Sequence, residues 1–262
     1  MKINRSVARA IDMLNMISET KDPLTITEIS QRLDIPKSTA FDIINTLVDK
    51  GYLETDKKQK TFSMGINVFQ VGSRYLDKLD FQSAAHSLLE EMMLKSGETV
   101  FLAVENQGRL VYLDKVESNA SVRTDSRLGT SNPMYCTGLG KALLAAYEND
   151  RVKAIISQEP MKAKTEYTLT NYQELLRDLE QTRRRGYSID NRESELEVFC
   201  VAAPIYDLSG RPVAAISIAG MASRMLGNDQ KVAEFGKLVM ETALLVSKRL
   251  GYRGSRVYED FN

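Results

Sequence analysis

Tryptophan is absent from this chain, histidine occurs once, cysteine twice and proline six times in 262 residues. Each shortage excludes something. Two cysteines, Cys136 and Cys200, allow one disulfide at most, which is too sparse for a small secreted scaffold, and in a reducing compartment they stay as thiols. One histidine, His86, leaves little for metal chemistry, and its spacing to the cysteines matches no structural zinc pattern. No cofactor and no metal are expected. Long apolar runs are missing as well. Nothing approaches the roughly 18 consecutive apolar residues of a membrane span, and the opening MKINRSVARAIDMLNM carries charges throughout, unlike a signal peptide. The expectation is a cytoplasmic protein with no membrane partner. Finally, neither sign of charge is in excess: 35 Lys plus Arg balance 35 Asp plus Glu, which argues against coating nucleic acid by bulk charge.

What the chain does have is concentrated first in Leu24 to Met64, LTITEISQRLDIPKSTAFDIINTLVDKGYLETDKKQKTFSM. Thr25 and Glu28 are spaced as a capping box, with Leu24 and Ile29 placed as its hydrophobic staple. Ile26, Ile29 and Leu33 share one face of the short helix that follows. Asp34 and Ile35 break it, and Pro36 sits where a new helix tolerates a missing amide hydrogen. In that second helix Ala40, Ile43, Ile44 and Leu47 follow the inward i, i+3, i+4, i+7 spacing. Lys37, Ser38, Phe41, Asp42 and Asn45 are left outside, with Thr39 in the same leading turns. A helix whose leading end carries donors, acceptors and an aromatic ring has what a major groove requires of its reader. Gly51 to Thr55 and Thr61 to Met64 then read as two strands around a lysine-rich turn, whose Lys57, Lys58 and Lys60 can reach phosphates.

The order helix, turn, helix, two-stranded wing resembles the IclR family of bacterial transcriptional regulators. The resemblance is carried by IPKSTAFDIINTLVDKGYLE, by the later CTGLGKALLA and by VAAPIYDLSGRPVAAISIAG, three motifs in the family's order and spacing. It implies an α+β architecture: a winged helix-turn-helix DNA-binding domain over 1–64, a connector helix over 65–80 and a GAF-like effector-binding α/β domain over 81–262. It also implies a homodimer or a dimer of dimers on a palindromic double-stranded operator, and a small organic acid as effector. Carried across position by position, the family's pocket falls on Gly138, Leu139, Asp190, Cys200 and Ser217. Four positions depart from the family. Asp42 stands where an arginine is usual on the recognition helix, Ala219 where some members have serine, Arg192 where an acidic residue is common, and Glu197 where glycine is.

The residues support this reading independently. Residues 1–64 hold ten basic and nine acidic side chains, a net of +1. Any footprint on DNA must therefore be local, supplied by Arg5, Arg9, Lys37 and the wing lysines, and a second protomer is needed for useful specificity. An additional helix over residues 6–19, with Val7, Ala10, Ile11, Leu14 and Ile17 as its apolar stripe, completes a three-helix core. In the second half, strand alternation groups Val198, Cys200 and Ala202 on one face, and Ala215, Ser217 and Ala219 on one face of the partner strand. Small side chains there leave a hollow. Thr137 is placed to cap the helix that begins GLGK, where free amides suit a carboxylate. Asp190 and Ser217 offer partners for a hydroxyl or oxo group. Two other readings compete. One is a cysteine-dependent enzyme using Cys200 with His86 as base, for which no third orienting group is evident. The other is a ligand sensor acting through a protein partner rather than DNA.

Overall fold

The capping box forms in the computed structural model, which describes residues 3–56, 58, 60–76, 80–118, 126–255 and 257–258. The Thr25 amide and hydroxyl both donate to Glu28 Oε2 at 2.7 Å, and the Glu28 amide donates to Thr25 Oγ1 at 3.4 Å. Lys57 and residues 77–79 of the expected connector lie outside the described residues.

The chain divides into two units, Met1–Leu79 and Asp80–Asn262. The first comprises α1 (Arg5–Ser18), β1 (Leu24–Thr25), α2 (Ile26–Arg32), α3 (Lys37–Asp49), β2 (Leu53–Asp56), β3 (Thr61–Met64) and α4 (Ile66–Leu76). Its core gathers Met13, Ile17, Leu24, Ile29, Ile35, Ala40, Ile44 and Leu53, with Ile43 and Leu47 partly buried against them. The α2–α3 turn is fixed by Ser30, whose hydroxyl donates to the Ile35 carbonyl at 2.7 Å, and by Asp34, which takes a left-handed φ of 49°. The wing is an antiparallel sheet in the order β1–β3–β2. The strand at Leu24–Thr25 that extends it has no counterpart in the sequence reading, because two residues carry no periodicity.

Helix α1 corrects one expectation. Val7 and Ile11, placed in the apolar stripe from their spacing, are 55% and 52% exposed, whereas Met13 and Ile17 are buried. The helix has apolar residues on two faces, and the core takes the face rotated toward Met13.

The second unit is built on a six-stranded antiparallel sheet in the order β6–β5–β4–β9–β8–β7. Its strands are β4 (Thr99–Asn106), β5 (Arg109–Val116), β6 (Ser131–Pro133), β7 (Ser188–Asn191), β8 (Val198–Tyr206) and β9 (Pro212–Met221). Its helices are α5 (Asp80–Ser96), α6 (Gly138–Ala145), α7 (Asn149–Ile156), α8 (Tyr172–Arg185), α9 (Ala222–Met225) and α10 (Asp229–Arg249). Cys200 pairs with Ala219 and with Asp190, and Ala202 pairs with Ser217 and Ser188, so these six residues share one sheet face. Helix α6 packs on β8 and β9, and α10 packs on the same two strands as well as on α5. The small-residue face is the one that receives α6, since a side chain at Gly138 would meet Cys200 Sγ at 2.7 Å.

Helix α6 is anchored at both ends. The Ser188 hydroxyl donates to the Gly138 carbonyl at 2.6 Å. Arg183 Nε donates to the Ala145 carbonyl at 2.8 Å, and the buried Tyr258 hydroxyl to that of Ala142 at 3.1 Å. All eight residues of α6 are buried, so every polar group on it needs a protein partner.

Candidate functional sites

On the first unit, α3 presents Lys37, Ser38, Phe41, Asp42 and Asn45 to solvent, with Phe41 53% exposed. A ring this exposed at the leading end of a helix contributes nothing to the unit's own core. Pro36 occupies the N-cap and offers no side-chain bond to the first-turn amides. Those amides, with the Lys37 ammonium beside them, make an anion-binding helix start. Thr39 is half-buried, Arg5 exposed and Arg9 half-buried. On the wing, Lys58 and Lys60 are exposed, and Asp56 Oδ1 accepts from the Lys58 amide at 2.8 Å to shape the turn.

On the second unit, all five residues singled out for a ligand line one cavity: Gly138, Leu139, Asp190, Cys200 and Ser217. Phe101, Tyr112, Ser126, Thr137, Ser194 and Glu195 complete much of its wall. Of these, Thr137 is the helix cap expected from the sequence; the other five were missed because they come from separate strands and loops, and no periodicity links them. The cavity measures about 30 Å³, room for roughly two waters, so only a small or partly inserted ligand fits without wall movement. Two larger depressions, of about 350 and 540 Å³, flank Arg183 and Arg184 on the outer side of α8 and contain none of the expected residues.

The cavity's polar groups have separable roles. Thr137 Oγ1 accepts from the Gly140 amide at 3.2 Å, and the Lys141 amide donates to the Thr137 carbonyl at 2.9 Å. That leaves the Gly138 and Leu139 amides without a partner among the described residues, at a helix start where an anion is favoured. Asp190 is 2% exposed. Its Oδ1 accepts from the Glu193 amide at 2.7 Å and its Oδ2 from the Ser194 hydroxyl at 2.5 Å. Burial pushes its carboxyl up, against these hydrogen bonds and the nearby Lys141 charge. Ser217 is fully buried, and among the described residues its hydroxyl has no more than the weakly bonding Cys200 thiol as a partner. Burial pushes the Cys200 thiol up to about 12, with Asp190 adding to the effect. That is the reverse of a nucleophile's requirement. The proposed base, His86, instead holds Asp114 through Nδ1 at 2.6 Å and does not line the cavity. Its imidazole is raised above its ordinary value by that bond.

A winged helix-turn-helix with an uncommitted recognition face, followed by an α/β domain enclosing a polar cavity, defines a ligand-sensing DNA-binding regulator. The comparisons place it. Residues 6–57 match the model of the IclR helix-turn-helix domain, and residues 73–248 that of the bacterial transcriptional regulator IclR C-terminal domain. The chain is 34% identical over 254 residues to the transcriptional repressor IclR of Escherichia coli K12, covering 96% of this chain and 91% of that protein. It is 35% identical over 249 residues to the repressor AllR of the same organism, covering 95% and 91%. The solved structure of Thermotoga maritima IclR superposes with a TM-score of 0.77 at 33% identity, covering 95% of this chain and 99% of the other. The protein belongs to the IclR family of bacterial transcriptional regulators; it is a DNA-binding regulator with a C-terminal ligand-binding domain, not an enzyme. Among the described residues, no helix is long and apolar enough to cross a membrane.

Proposed function

We propose that the effector is a small hydroxy- or oxo-acid bound in the Gly138–Ser217 cavity, and that its binding changes the affinity of a dimer for a palindromic operator. One observation carries the ligand assignment. A fully buried Ser217 hydroxyl, with no more than the weakly bonding Cys200 thiol as a partner among the described residues, faces the same cavity as two free helix-start amides and the Asp190 carboxylate. An isolated buried hydroxyl costs about 1–3 kcal/mol, and a ligand that bonds to it recovers that cost. The amides suit a carboxylate, Asp190 accepts from a hydroxyl, and Ser217 serves a hydroxyl or a carbonyl.

On the DNA side, Lys37, Ser38, Thr39, Phe41, Asp42 and Asn45 read or brace the major groove. Arg5, Arg9, Lys57, Lys58 and Lys60 contact phosphates. Exposed Val7 and Ile11 of α1, with Ile66 and Phe69 of α4 at 61% and 70% exposure, supply an apolar surface on which a second copy docks. Pairing sets two recognition helices about one DNA turn apart. The domain roles follow: residues 1–64 bind DNA, 65–80 connect, and 81–262 sense. The named relatives are repressors, and repression is the output we infer.

Thermal denaturation with pyruvate, glyoxylate, lactate and simple amines tests the ligand class. An acid is expected to raise Tm; a response to an amine and to no acid would overturn the assignment. Ser217→Ala sharpens the test, because it removes the uncompensated hydroxyl. The variant is expected to be about 1 kcal/mol more stable than the parent without ligand and to show a smaller acid-induced shift. A variant that is destabilised and responds like the parent would remove Ser217 from the site.

A further inference from the structure

Lys141 lies in the second turn of α6, with 0% of its surface exposed. An ammonium so placed survives only with a counter-charge; Asp178 supplies one, and Glu193 accepts a hydrogen bond from it whether or not it is ionised. Nζ lies 2.5 Å from Glu193 Oε1 and 3.0 Å from Asp178 Oδ2. Asp178 comes from α8, whereas Glu193 belongs to the segment from Asp190 to Val198 that forms one wall of the cavity through Asp190, Ser194, Glu195 and Val198. The opposite wall is the start of α6, Gly138 and Leu139. The Lys141–Glu193 pair therefore spans the two walls without itself facing the cavity. The same segment is held from outside by Thr168 Oγ1, which donates to the Glu193 carbonyl at 2.7 Å, and by Thr165 Oγ1, which donates to that of Arg192 at 2.7 Å. Arg192 stacks on Tyr167 at 3.7 Å.

We propose that Lys141 is a positioning residue that clamps the Asp190–Val198 wall against α6 through Glu193, and that the protonation of Glu193 sets how firmly the cavity stays closed. This rests on reading the cavity as the effector site. The groups facing the Glu193 side chain are Lys141 from α6, Asp178 from α8, Asp190 from β7 and the Cys136 thiol from the segment before α6, while the hydroxyls of Thr165 and Thr168 reach its backbone carbonyl. Burial pushes the Glu193 carboxyl up to about 7 in spite of Lys141, with Asp190 and Asp178 adding to the rise. Its second oxygen, Oε2, has no partner among the described residues. Burial alone would depress Lys141, but Glu193 and Asp178 more than offset it and hold the ammonium above its ordinary value. The sign follows from linkage. A carboxyl held near 7 in the closed cavity and near its ordinary value once solvated binds more protons when closed, so closure is fully supported at low pH and weakens as pH rises through 7.

Cys200 provides a readout that requires no effector, because its buried thiol sits in the cavity wall. Its modification by N-ethylmaleimide is followed in the full-length protein by peptide mass spectrometry, each rate divided by that of the urea-unfolded chain at the same pH. That division cancels the ionisation of a solvated thiol, which is the form an opened cavity presents. The normalised rate in the parent is expected to rise about tenfold between pH 6 and pH 8.5. Glu193→Gln keeps the acceptor oxygen and cannot ionise, so its rate should match the parent at pH 6 and stay there at pH 8.5. Lys141→Met should be modified at least tenfold faster than the parent at pH 6. A flat profile in the parent, a Gln variant that follows the parent upward, or an unchanged Met variant overturns the proposal. If Lys141→Met does not fold, the comparison of parent and Glu193→Gln decides. Failure of the acid ligands to stabilise the protein would remove the effector reading and leave this result standing by itself.

Discussion

Gly140→Ala is expected to destabilise the C-terminal domain by about 2–3 kcal/mol, although alanine is the better helix former by about 1 kcal/mol. A Cβ at Gly140 would stand 2.3 Å from the Met134 carbonyl oxygen, 2.5 Å from Met134 Cα and 2.7 Å from its carbonyl carbon. All three are backbone atoms, so no rotamer change relieves the overlap, and both chains must move apart where α6 begins. The cavity is built on that start, so loss of acid binding should accompany the loss of stability. Gly72→Ala in α4 is the matched control, because nothing lies within 4 Å of its added methyl. It should be neutral or stabilising by up to about 1 kcal/mol. Urea unfolding of both variants measures this. Gly140→Ala unfolding at the parent's midpoint would show that α6 is not wedged against Met134 as described.

The second large effect concerns DNA. Asp42 is exposed on α3, and its side chain has no hydrogen bond among the described residues; its carbonyl additionally accepts from the Thr46 hydroxyl at 2.8 Å. A carboxylate at this position repels phosphate and accepts from cytosine N4. It should therefore reduce affinity for DNA in general while favouring one base pair. Asp42→Ala is expected to bind non-specific DNA more tightly and to lose about 1–3 kcal/mol of discrimination at a single operator position, up to about 100-fold in relative affinity. Selection of bound fragments from a randomised library, followed by titration of single-base variants, reads both quantities. A uniform drop in affinity for every sequence would show that Asp42 acts in folding or general binding, not in reading a base.

Much of the fold was legible because its signals are local. The Thr25–Glu28 box, the spacing of Ala40 and Ile44, and the alternation along Val198–Ala203 each identify an element from a handful of neighbouring residues. The errors have physical causes too. In α1 the sequence offers two apolar faces, and nothing local distinguishes a face that enters the core from one that stays exposed; Val7 and Ile11 were assigned to the wrong one. The strands Ser131–Pro133 and Ser188–Asn191 passed unread because they are short edge strands with few β-branched residues. The five cavity residues carried over from the family resemblance do converge in space, whereas Phe101, Tyr112 and Ser126 reach the same cavity from β4, β5 and the chain beyond, which only the folded sheet reveals. Nothing in the sequence singles out Lys141 as a buried charge. Its burial depends on Asp178 and Glu193, far along the chain, and no pattern in GLGKALLA signals them.

A conformational mechanism requires the acid to bind the DNA-competent and DNA-incompetent arrangements with different affinity. The coupling free energy is typically 1–3 kcal/mol, or about 5–150-fold in affinity. Its most direct test is the affinity of the full-length protein for a selected palindromic duplex, measured by fluorescence anisotropy over a range of salt. Each titration is run with and without saturating pyruvate, glyoxylate or lactate, using the acid that raises Tm most. The account predicts a Kd that weakens steeply with salt and shifts at least fivefold when the acid is present. A Kd unaltered by an acid that demonstrably stabilises the C-terminal domain would contradict it.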